Sequence, residues 1–131
     1  MNQKGFATLE VILMVIVIGI LASIAVPRFT DITAKANTAK VQADLSTLDN
    51  ASQVYHMDKG KYADITTLKT DGYINAAPTA PEGSIYLGSS TATKITSAAY
   101  GIETSDDSDG RAYITVNGEK KYIDDVGKTN S

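Results

Sequence analysis

The chain is expected to be an α+β protein in which one long N-terminal α-helix carries a small antiparallel β-sheet. Three observations predict this. Positions 11–26 read VILMVIVIGILASIAV, sixteen residues without a charge. Beyond Pro27 a helical spacing of core-type positions resumes through Val41, Leu45, Leu48, Ser52 and Tyr55. Short alternating runs fill the last third, and two of them flank Asn117-Gly118, the dipeptide of a two-residue hairpin.

The apolar segment comes first. Sixteen residues reach roughly 24 Å as a helix, and positions 6–27 supply the ~20 residues that a bilayer core requires if Glu10 is tolerated. A cleavable secretory signal is one reading, with Ala22-Ser23-Ile24-Ala25 as its cleavage site. Two features oppose it. The run is long for such a signal, and it flows without a break into the helical pattern past Pro27. A terminal membrane segment followed by a soluble domain is the better reading. Pro27 removes one backbone hydrogen bond and crowds the preceding turn, so a kink is expected there.

Glu10 stands out within this segment. A carboxylate near the middle of a spanning helix costs about 2.5–3.5 kcal/mol, and less toward its edge. A place near the helix start explains tolerance, because the N-terminal dipole favours negative charge. It gives no reason for the carboxylate to be there. A partner inside the membrane or inside an assembly would give one, yet the span holds no Lys or Arg. A new α-amino group would serve if the chain were cut nearby.

The helix is expected to run over 6–58, about 53 residues and roughly 80 Å, with Gly60 as its left-handed cap. A coiled coil is the default for such a length. A single narrow stripe with few flanking charge pairs points instead to half the helix in lipid and half against its own domain. Asp64 caps a short helix over Ile65–Thr70, ended by Asp71-Gly72. Pro78 and Pro81 mark a loop. Strands are expected over 84–87, 95–103, 111–116 and 120–123, with Ala112, Ile114 and Val116 facing the helix stripe and Tyr113 and Thr115 outward. No second domain is visible.

Composition narrows the function. The 131 residues hold 12 Lys+Arg and 15 Asp+Glu, for a net charge of −3, which argues against a general nucleic-acid binder. The absence of Cys removes disulfides, thiolate metal sites and cysteine nucleophiles. The one His, His56, has no nucleophile motif beside it and reads as a helix-surface residue. Mean hydropathy, −0.10, resembles that of a soluble chain only because the apolar residues are crowded at one end.

Lys4-Gly5-Phe6-Ala7-Thr8-Leu9-Glu10, the apolar run after it and Pro27 resemble the N-terminus of type IV prepilins and type II secretion pseudopilins. The resemblance implies a leader, residues 1–5, cut between Gly5 and Phe6 by a membrane peptidase that also N-methylates Phe6. It implies a membrane and filament-core helix over 6–27, and a pilin-like globular domain over 28–131 that includes the second half of the helix. Glu10 is then the fifth mature residue, and its partner is the Phe6 amine of a neighbouring subunit. Ala7-Thr8-Leu9 departs slightly from the usual Thr-Leu-Ile. Tyr55, Lys59-Gly60-Lys61-Tyr62 and Gly72-Tyr73-Ile74 resemble the segment that follows the helix in the family, with Ala63 where proline is usual.

The partners so implied are identical subunits, the prepilin peptidase and methyltransferase, an inner-membrane assembly platform, and lipid before assembly. No nucleic acid and no cofactor are expected, and the protein is not expected to be an enzyme. The family places the soluble domain outside the inner membrane, then on a surface filament. Lys4 before the span against Arg28, Lys35 and Lys40 after it gives that orientation no support from charge.

Two alternatives remain open. The acidic run over 103–110 sets Ser105, Asp107, Asp109 and Gly110 at calcium-loop spacings, but it starts with Ser and has no closing Glu. A hairpin loop is the plainer reading. The resemblance to pseudopilins, which carry calcium in C-terminal loops, keeps Asp107 and Asp109 as weak metal candidates, with Asp124-Asp125 as contributors. A membrane-tethered enzyme or binding module is the other alternative, but it would not need Gly5, Phe6 or Glu10. Within the family a type IV pilin is expected first and a secretion or competence pseudopilin second. Many pilins have a disulfide that this chain cannot form, and major pseudopilins typically have a Trp motif that it also lacks.

Overall fold

The computed structural model describes residues 3–127. Residues 1, 2 and 128–131, the outer ends of the expected leader and globular segment, lie outside it. One helix, α1 (Gln3–Lys59), opens the chain, and helical backbone continues through position 27, so the proline does not end it. Contacts divide the chain between Ile32 and Thr33 into two units.

The first unit is helix alone. Its side chains find no core within the chain. From Phe6 to Ile24 every large apolar residue is between 50% and 65% exposed.

The second unit is the α+β body. On α1 the stripe Val41, Leu45, Leu48, Ser52 and Tyr55 is buried, and Ala34 and Thr38 extend it one repeat toward the N-terminus. Gly60 closes the helix at φ 75°, its amide donating to the His56 carbonyl, a left-handed cap that glycine adopts without strain. After it, α2 (Ile65–Thr70) is capped by the Asp64 carboxylate, which accepts from the Thr67 amide at 2.9 Å. Leu68 of α2 is fully buried in the common core.

The strands form two small sheets. β1 (Ser84–Ile85) pairs with β2 (Thr93–Lys94), and β3 (Ala98–Ile102), β4 (Ala112–Val116) and β5 (Glu119–Lys121) form an antiparallel meander. In β4, Ala112, Ile114 and Val116 are buried while Tyr113 and Thr115 are not, which is the expected alternation. Asn117 and Gly118 both have positive φ, 51° and 90°, in the tight turn between β4 and β5.

Strand boundaries differ from expectation for local reasons. The segment 95–97 does not extend β3, because the Asn117 side-chain oxygen takes the amides of Thr96 and Ser97. The chain after β5 turns into a 3-10 helix (Ile123–Asp125), with Asp125 accepting the Tyr122 amide at 3.0 Å. Leu87 leaves β1 and makes a parallel bridge to Gly127. The α+β arrangement read from the sequence is the one observed.

Candidate functional site

The candidate site is the exposed half of α1. Its hydroxyls are satisfied by the helix itself: Thr8 Oγ1 donates to the Lys4 carbonyl at 2.9 Å, and Ser23 Oγ to the Ile20 carbonyl at 2.7 Å. Such back-bonding lets a hydroxyl sit in an apolar medium without an orphaned donor. Thirteen large apolar side chains lie open over 6–24. At about 1.5 kcal/mol for covering each, roughly 20 kcal/mol of transfer free energy is available to lipid or to another chain. An eighteen-residue window of this helix has a mean hydropathy of 2.9, with none of it buried.

Glu10 is exposed on this surface, and among the described residues it has no hydrogen bond or ion pair within the chain. Phe6, one turn before it, is 56% exposed. A Cβ added at Gly5 would meet nothing within 4 Å. Nothing among the described residues therefore requires glycine there, although a glycine inside a helix costs about 1 kcal/mol relative to alanine.

The other sequence candidates lie in the body. Glu103 accepts from Lys120 Nζ at 2.8 Å and from the Tyr122 hydroxyl at 3.1 Å. The Lys120 contact first, then Tyr122, holds its carboxyl below the ordinary range. Asp124 pairs with Arg111 at 2.7 Å, which raises the guanidinium's affinity for its proton. Asp107 and Asp109 are exposed, and among the described residues no three acidic, His or Cys side chains gather closely enough to hold a metal ion. His56 is stacked on Tyr62, with centroids 4.3 Å apart and planes at 17°. Tyr73 donates to Asp58, and that hydrogen bond pushes its phenol up to about 12. Burial, then the hydrogen bond to Asp44, pushes Tyr100 far higher.

Polar residues of α1 have a role that periodicity alone did not indicate. Asn37 donates to the carbonyls of Glu82 and Ser84, and Gln42 to that of Val126. Asp49 accepts the Ala112 amide at 2.6 Å, while Ser52 and Gln53 donate to the carbonyls of Gly110 and Asp109. These side chains stitch loop and strand ends to the helix. Their only sequence signal is short or amide side chains flanking the apolar stripe.

An apolar helix with uncovered side chains and one carboxylate near its start, followed by a small helix-and-sheet body, is the arrangement that the sequence resemblance implies. Comparison with known proteins agrees. The chain is 35% identical over 85 residues to a type II secretion system core protein G of Aeromonas hydrophila, an alignment covering 65% of this chain and 59% of that one. It is 30% identical over 103 residues to the core protein G of Escherichia coli K12, covering 66% and 71%. A type IV narrow pilus major component of Thermus thermophilus is 45% identical over 51 residues, covering 39% and 44%. No protein-family model matches the chain, and no solved structure is significantly similar. The chain belongs to the family of type IV pilins and type II secretion pseudopilins.

Proposed function

We propose that the chain is the structural subunit of a type IV pilus. Residues 1–5 form a leader removed between Gly5 and Phe6 by the prepilin peptidase, which methylates the new Phe6 amine. The span 6–27 holds the subunit in the inner membrane until an assembly platform moves it into a surface filament. The carrying observation is Glu10, a lone carboxylate on an apolar helix one turn beyond Phe6. In the membrane its charge is costly. In a filament it meets the Phe6 ammonium of a neighbour inside a low-dielectric core, and that contact sets axial register. The apolar side chains then bury one another in place of lipid. One head-to-tail contact, repeated without closing, propagates a helix.

Two measurements test this reading. Intact-mass analysis of filaments should give a subunit that begins at Phe6 and carries one methyl group. A start at Met1, or cleavage near Ala25, would refute the processing step. A pseudopilus of a secretion or competence system is the second reading, favoured by the longer alignments with core protein G, which reach 66% of the chain. Deleting the gene separates them: loss of sheared surface filaments supports the pilus, and retention of exoproteins in the periplasm supports the pseudopilus.

A further inference from the structure

Asn117-Gly118 is the chemically weakest peptide unit in the chain, because an unhindered glycine nitrogen can attack the preceding carboxamide carbon. Nothing lies within 4 Å of a Cβ placed on Gly118, so sterics do not protect the attacking nitrogen. The carboxamide, by contrast, is held at both ends. Its oxygen accepts from Thr96 N at 2.8 Å, Thr96 Oγ1 at 2.7 Å and Ser97 N at 3.3 Å. Its nitrogen donates to the Lys94 carbonyl at 2.8 Å. Asn117 is also the one non-glycine residue with positive φ among those described. The clamp thus ties the β4–β5 turn to the connector between β2 and β3.

We propose that Asn117 is a conformationally gated deamidation site, protected while this clamp is closed and consumed when it opens. The attacking Gly118 nitrogen must meet the face of the carboxamide carbon, which requires the group to rotate out of its hydrogen bonds. The nitrogen then loses its proton, a bond forms from it to the side-chain carbon, and ammonia leaves, giving a succinimide. Water opens that ring to aspartate or isoaspartate. Water reaches this place: Asn117 is exposed and borders an open cavity of about 350 Å³ with Leu87, Thr93, Val116, Glu119 and Lys121. Neither product keeps a donor for the Lys94 carbonyl, and isoaspartate also lengthens the backbone of a two-residue turn. The opening is recorded irreversibly, independently of whether the chain builds pili or pseudopili.

The test is peptide mass spectrometry of the full chain in detergent micelles, followed over time in mildly alkaline buffer. Denatured in urea, the chain should deamidate at Asn117 about tenfold faster or more than the folded chain, the factor that one or more hydrogen bonds of opening free energy supply. Thr96→Val removes one of the four contacts at an exposed position, and its folded form should react at an intermediate rate. Equal rates in the folded and denatured chains would overturn the proposal, as would a folded chain that reacts faster, with the donors around the carboxamide oxygen activating it.

Discussion

Ser52, fully buried near the C-terminal end of the α1 stripe, donates its hydroxyl to the carbonyl of Gly110 at 2.8 Å. The bond spans 58 positions of sequence and joins the end of the acidic loop to the helix. Ser52→Ala would leave a buried carbonyl unsatisfied, at a cost of about 1–3 kcal/mol. A melting temperature several degrees lower for the full chain in micelles is the expected result. An unchanged value would mean that water replaces the hydroxyl.

Gly110 is constrained on its other side as well. Its φ is 64°, and an added Cβ would lie 2.0 Å from the Tyr62 ring. Gly110→Ala therefore meets both left-handed strain, about 1–2 kcal/mol, and a ring that must move, so it should destabilise more than Ser52→Ala. Tyr62→Ala made in the same chain removes the clash and not the strain. The double variant should be less destabilised than the sum of the two single changes, read by a double-mutant cycle.

Asp64 gives a pH dependence with a definite sign. Hydrogen bonds from Thr67, its side chain first and then its backbone, lower the Asp64 carboxyl below the ordinary value. A depressed carboxyl contributes stability above its unfolded pKa and loses it as pH falls through the folded value. Asp64→Ala should therefore cost about 1 kcal/mol at neutral pH, and the gap from wild type should narrow below about pH 4. A gap that is constant down to strong acid would show that the cap works without its charge.

The elements legible in the sequence were those with strong local signals. The stripe from Val41 to Tyr55 has helical period, Asp64 has capping chemistry, and Asn117-Gly118 specifies its own turn. Of the short pair β1–β2, β1 falls within the expected run 84–87, whereas β2 has no such signal, since two residues cannot display a period. The start of β3 was also hidden, because a side chain twenty positions away decides it. At the candidate site, Glu10 stands out in the sequence because no need of the fold accounts for a carboxylate in an apolar helix, whereas Gly5 and Phe6 are marked only by the resemblance to prepilins. The stitching by Asn37, Gln42 and Asp49 was not, since surface polar residues on a helix carry the same letters whether they bond to a loop or to water.

Glu10 is proposed to serve a neighbouring subunit, and Glu10→Gln separates that role from simple anchoring. The change keeps shape and hydrogen-bonding capacity, removes the charge and eases membrane insertion. A protein that needs only an anchor would be unharmed. A filament subunit would leave the neighbour's Phe6 ammonium buried without its partner, a loss on the order of 3–5 kcal/mol. The measurement is filament yield, by shearing and electron microscopy, beside the amount of processed subunit in the membrane. Normal cleavage after Gly5, a membrane-resident subunit and few or no filaments are the expected result. Normal filament yield from Glu10→Gln would contradict it.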